Sequence, residues 1–106
     1  MSLETIYALS SGAGPTGVAV IRVSGPEVPN ITTSLCRKLP EDRVAQLSRL
    51  IDRDDNSVLD EALVLYFKGP RSFTGEDVVE FHIHGGRAVI GSVLAKLSSF
   101  PNCRMA

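Results

Sequence analysis

The 106-residue chain has little of what marks several large functional classes. Its only cysteines, Cys36 and Cys103, lie far apart, with no C-x-x-C spacing and no histidine pair beside them. That argues against a zinc site or a disulfide framework and reads as two buried or free thiols. No apolar run approaches the ~20 residues of a membrane span. The first residues, MSLETIYALSS, lack the basic start of a signal peptide and the arginine-rich pattern of a transit peptide, so the expectation is an intracellular chain. With a net charge of −1, there is no basic excess to serve as a footprint for nucleic acid. Nor does any stretch match G-x-x-x-x-G-K-[ST], G-x-S-x-G or H-E-x-x-H, so the chain carries no self-contained NTPase or hydrolase signature.

What is present is globular. Hydrophobic residues make up 43% and charged residues 22%, enough for one domain with a single core. The stretch GAGPTG, Gly12 to Gly17, fits G-x-G-x-x-G, but a dinucleotide loop must open a helix whose free N–H groups meet the pyrophosphate. Here GVAVIRVSG follows, rich in β-branched residues, and no acidic residue stands about 20 positions on. The glycines read as a tight turn between strands.

The remaining periodicities predict β-β-α-β-β-β-α and a truncated last strand. Thr5 to Ser10 is a short strand, and Gly17 to Gly25 a second with both faces largely buried. Val28, Ile31, Leu35 and Leu39 recur at helical spacing before Pro40. Arg43 to Ile51 and Val58 to Phe67 form a hairpin around the polar turn 52–57. In DVVEFHIH, Asp77, Val79, Phe81 and Ile83 share one face while Val78, Glu80, His82 and His84 share the other. A helix follows Gly85-Gly86, with Val89, Ile90, Val93, Leu94 and Leu97 as its apolar stripe, and Pro101-Asn102 stops it. The fold class is α+β, a mixed sheet with two main helices covering one face.

Three constellations carry chemistry. Glu80, His82 and His84 project together at a period of two and offer a shell for a divalent metal, the basis for reading the chain as a small metal-dependent enzyme. Arg22, a cation inside an apolar strand, needs a carboxylate or a ligand anion, and Glu80 is the other charge embedded in an apolar run. A structural salt bridge and a binding role are equally open. Finally, the loops SFTGED and HGGR place Phe73, Thr74, Gly75 and two backbone-exposing glycines where a ligand or a neighbouring backbone can approach.

TIYALSSGAGPTGVAVIRVSGP, followed by VLDEALVLYFKGPRSFTGEDVVEFHIHGG, resembles the N-terminal domain of the MnmE (TrmE) family of tRNA modification GTPases. The resemblance covers nearly all of residues 1–106; it is weakest from Glu27 to Asp55, and the loop GAGPT departs from the family pattern. It implies a fold like the tetrahydrofolate-binding domain of glycine-cleavage T proteins, homodimerisation, and binding of a 5-formyl-tetrahydrofolate-type one-carbon donor. Residue by residue, the family's folate contacts fall on Arg22 and Glu80, with Phe73 and Gly75 as second-rank candidates. The whole protein, by the same resemblance, continues into a helical domain with an inserted G domain that uses GTP, Mg and K ions. It acts with the flavoprotein MnmG on the wobble uridine of certain tRNAs, in the bacterial cytoplasm or, in eukaryotes, the mitochondrial matrix. Neither Cys36 nor Cys103 corresponds to the family's catalytic cysteine, and this stretch alone is expected neither to hydrolyse GTP nor to modify tRNA. The third possibility is a purely structural dimerisation domain.

Overall fold

The computed structural model describes residues 4–10, 17–72 and 74–106. Its elements run β1 (Thr5–Leu9), β2 (Val18–Ser24), α1 (Val28–Cys36), β3 (Gln46–Asp52), β4 (Ser57–Phe67), β5 (Val78–His84), α2 (Arg87–Ser98) and β6 (Cys103–Met105). The six strands form one sheet in the order β3-β4-β5-β2-β1-β6. Every pairing is antiparallel except β1 with β6, which makes the sheet mixed and the fold α+β, as the periodicities predict.

The pleat sorts side chains between two unlike faces. Ala19, Ile21 and Val23 of β2, with Val79, Phe81 and Ile83 of β5, are fully buried. They pack with Ile31 and Leu35 of α1 and Val93 and Leu97 of α2 in a single core. On the opposite face Val18 and Leu63 are exposed, and Val20 and Arg22 are only half-buried. The expectation that both faces of β2 are largely buried is therefore corrected. Both helices lie on one side, and β-branched residues suit a strand whichever face is covered.

Two boundaries also differ from expectation. Helix α1 stops at Cys36, not at Leu39, because Arg37 adopts φ 67° and turns its N–H back to the Thr33 carbonyl. Leu39 still packs against the core from beyond the helix. Strand β3 begins at Gln46 because Arg43 adopts φ 63°, a left-handed conformation that interrupts an extended run.

The start of α1 is capped from another strand. The N–H of Glu27 donates to Thr5 Oγ1 at 2.9 Å, and Thr5 is fully buried in β1. Thr5→Val keeps the shape but leaves that amide without an acceptor, so thermal denaturation should show a loss of about 1–2 kcal/mol. An unchanged midpoint would mean the bond contributes nothing.

Candidate functional site

The candidate site lies on the sheet face that the helices leave open. Antiparallel pairing sets Arg22 directly opposite Glu80 across the central strands. The guanidinium donates twice to one carboxylate oxygen, Nε to Oε2 at 3.0 Å and Nη2 to Oε2 at 2.6 Å. The other oxygen, Oε1, lies 3.1 Å from His82 Nε2. The Glu80 side chain is 11% exposed, whereas that of Arg22 is 38% exposed. A buried carboxylate is thus held between a guanidinium and an imidazole, both of them partly exposed.

Burial acts to push the Glu80 carboxyl up, but hydrogen bonds and charge from Arg22 and His82 outweigh it and hold it below its ordinary value of 4.5. A depressed carboxyl contributes stability that is complete above its unfolded value and is lost as pH falls through the folded one. Urea denaturation repeated at successive pH values below 4.5 should therefore show wild type losing more stability than Glu80→Gln, which has no carboxyl to protonate. Parallel losses in the two proteins would contradict the depressed value.

Beside this pair is a cleft of about 160 Å³, lined by Ile6, Tyr7 and Ala8 of β1, Ser10 just after it, Arg22 and Ser24 of β2, Thr74, and Ala106. Ser24 Oγ and Thr74 Oγ1 are 2.8 Å apart, so the SFTGED loop is fastened to β2 beside Arg22. The loop's far end is fixed by Asp77, whose carboxylate accepts from the Gly69 N–H at 2.8 Å and from the Tyr66 hydroxyl at 3.1 Å. Gly75 adopts φ 80°, a positive φ that suits a glycine in this turn. Phe73 lies outside the described residues.

The two sequence-predicted residues Arg22 and Glu80 are thus brought together, and the salt bridge between them exists. His82, Ser24 and Thr74 complete the surroundings. The even-numbered face of β5 already marked His82, but as a metal ligand; the Ser24 to Thr74 contact spans 50 positions and left no local signal. Among the described residues no group of three or more His, Cys, Asp or Glu side chains is arranged to hold a metal. His84 is directed at Asp60, with Nδ1 2.8 Å from Oδ1 and its backbone N–H 2.8 Å from Oδ2, while Glu80 is taken by Arg22 and His82. The shell proposed for Glu80, His82 and His84 does not converge.

The glycine loop gives a second correspondence. Strand β2 begins at Val18, immediately after Gly17, so no helix follows the loop; residues 11–16 lie outside those described. Gly85 N–H donates to the Gly17 carbonyl at 3.2 Å, which joins the HGGR loop to the entry of β2.

Against protein families, residues 5–106 match the family described as GTP-binding protein TrmE N-terminus. The chain belongs to the TrmE family. Among curated relatives, it is 53% identical over 104 residues to the tRNA modification GTPase MnmE of Bartonella tribocorum, covering 98% of this chain and 24% of that protein. It is 51% identical over 105 residues to the protein of that name from Beijerinckia indica, covering 99% and 23%. With the Brucella canis protein the identity is 48% over 103 residues, covering 97% and 23%. The chain spans about a quarter of the length of these TrmE relatives. Among the described residues of this TrmE domain, no helix is long and apolar enough to cross a membrane.

Proposed function

We propose that this chain is the N-terminal domain of a tRNA modification GTPase and that its open sheet face binds a reduced folate of the 5-formyl-tetrahydrofolate type. The observation that carries the reading is the buried Glu80 carboxylate, held by Arg22 beside the 160 Å³ cleft. At roughly 30 Å³ per liquid water, that volume is the share of about five waters, room for one flat ring system with the rest of the ligand outside. A carboxylate offers about four lone-pair sites, and Arg22 fills those of Oε2, so Glu80 can accept from adjacent N–H donors of a pterin edge at Oε1 once His82 gives up its bond there. Arg22, partly exposed, supplies a planar cationic fork for a carbonyl or carboxylate of the same ligand. Gly75 allows the fastened loop its close approach, and Phe73 is the aromatic candidate to cover the ring.

The same face supports homodimerisation. Ile6, Val18, Leu47 and Leu63 are exposed there, and Leu47 pairs directly with Leu63. Four large apolar side chains on one side of a sheet are what a second copy would cover. Sedimentation of the wild-type chain should show a concentration-dependent dimer, and the Leu47→Asp, Leu63→Asp double variant a monomer; a wild type monomeric throughout would overturn the assignment.

The GTP-hydrolysing activity, with Mg and K ions, is proposed for the rest of the protein, as are the flavoprotein MnmG and the wobble uridine of tRNA as its partner and substrate. The proposed compartment is the bacterial cytoplasm. Calorimetric titration with 5-formyl-tetrahydrofolate tests the reading of this domain. Saturable binding near one ligand per chain is expected, and absence of heat at dimer-forming concentrations would leave a structural dimerisation domain.

A further inference from the structure

A second concavity, of about 370 Å³, lies away from Arg22 and Glu80, where the end of α1 meets the edge strand β3. It is lined by Arg37, Arg49 and Arg53, together with Cys36, Leu47, Ser48 and Ile51. Three guanidinium groups in one hollow of a chain whose net charge is −1 are a marked local excess. Among the described residues none of the three forms an ion pair.

The acidic residues nearest in sequence to Arg49 and Arg53 are committed elsewhere. Asp52 and Asp54 both engage Lys96 of α2, at 2.9 and 3.1 Å, and Asp55 accepts from the Ser57 N–H. Glu61 stands opposite Arg49 in register yet makes no ion pair with it. Cys36 adds no negative charge, because burial pushes its thiol up to about 11 despite the lowering effects of Ser48 and Arg53.

Arg53 is the fixed member of the group. Its Nε donates to the Ser34 carbonyl at 2.6 Å, which anchors the side chain to the last turn of α1. Its Nη2 is buried without a hydrogen-bond acceptor among the described residues. A buried guanidinium nitrogen lacking an acceptor is costly in a folded protein, and an added oxyanion would supply one after a small movement of the fork.

We propose that this hollow binds a phosphate oxyanion, with Arg53 as the pre-positioned donor and Arg37 and Arg49 closing on it from the rim. Planar guanidinium groups match phosphate oxygens bidentately, and a volume near 370 Å³ admits a phosphate together with part of the molecule carrying it. The phosphate can belong to a free phosphate compound or to an RNA backbone, and binding in the hollow rests on neither the folate nor the tRNA reading.

The test follows the arginine Nε–Hε and backbone amide signals of the whole chain by NMR while inorganic phosphate is added at constant ionic strength. Saturable shifts at Arg37, Arg49, Arg53 and Ser48 are expected, at least tenfold weakened in the Arg37→Ala, Arg49→Ala double variant, whose altered residues are on the surface. Arg87→Ala, remote from the hollow, should leave them unchanged. An unmodified tRNA transcript is then added as competitor. If it displaces phosphate and loses affinity in the double variant, the source is an RNA backbone; if phosphate binds as described and tRNA does not compete, the source is a free phosphate compound. Shifts that do not saturate, or that persist in the double variant, would overturn the proposal.

Discussion

Replacing Gly25 with alanine is expected to remove about 4 kcal/mol or more of stability, a large share of the ~5–15 kcal/mol that holds a domain of this size together. Gly25 follows β2 and adopts φ 144°, a backbone region that residues with a Cβ rarely adopt. The added carbon would also lie 2.6 Å from Thr5 Cα and 2.8 Å from the Glu4 carbonyl oxygen. These are backbone atoms entering β1, so no rotamer change relieves the overlap. Relief requires β1 to move away, which breaks the bond from Glu27 N–H to Thr5 Oγ1 and disturbs the one from Gly25 N–H to the Asp77 carbonyl.

The comparison that isolates close packing from backbone strain is Gly75→Ala. Gly75 also has positive φ, at 80°, but among the described residues nothing lies within 4 Å of its Cβ position. Only the conformational cost of about 1–2 kcal/mol remains there. Chemical denaturation of the two variants should therefore separate them by several kcal/mol in one direction. Equal losses would show that β1 does not crowd Gly25.

The contrast between these glycines also shows where local sequence is informative. Gly75 sits in an evident turn, SFTGED, and its role is readable from its neighbours alone. The crowding at Gly25 comes from Thr5, 20 positions earlier, and appears only once β1 is laid beside β2. The same division holds for the sheet. Period-two alternation in DVVEFHIH is enough by itself to assign Glu80 to one face. The strand order does not follow from it, because the β2 to β5 pairing that joins Arg22 to Glu80 spans 58 positions and nothing near either residue encodes its neighbour. The left-handed Arg37 and Arg43 are illegible for another reason. Arginine has no intrinsic preference for that region, so the end of α1 and the start of β3 are set by tertiary packing. Of the site, the charged pair is legible because isolated charges in apolar strands need partners, whereas the cleft depends on β1, β2 and the 74–77 loop meeting in space.

The second large effect is expected at Glu80. If its carboxylate receives the ligand's N–H donors, Glu80→Ala removes two charge-assisted hydrogen bonds, each contributing about 1.5–3 kcal/mol, and calorimetry should show 5-formyl-tetrahydrofolate affinity falling at least ~100-fold. Wild-type affinity in this variant would dismiss the site. The loss must also be separable from unfolding, and the unequal exposure of the pair provides the means. After Glu80→Ala, Arg22, with over a third of its side chain in solvent, can be rehydrated, so the stability loss should be about 1–2 kcal/mol. Arg22→Ala instead leaves a carboxylate on a side chain only 11% exposed with His82 as its remaining partner, and should cost more, about 2–3 kcal/mol. The double variant should cost less than the two single losses together, since each single change includes the penalty of a stranded partner. Should Glu80→Ala prove the more destabilising of the two, the carboxylate would not be the buried member of the pair, and its proposed place as the ligand's acceptor would have to be given up.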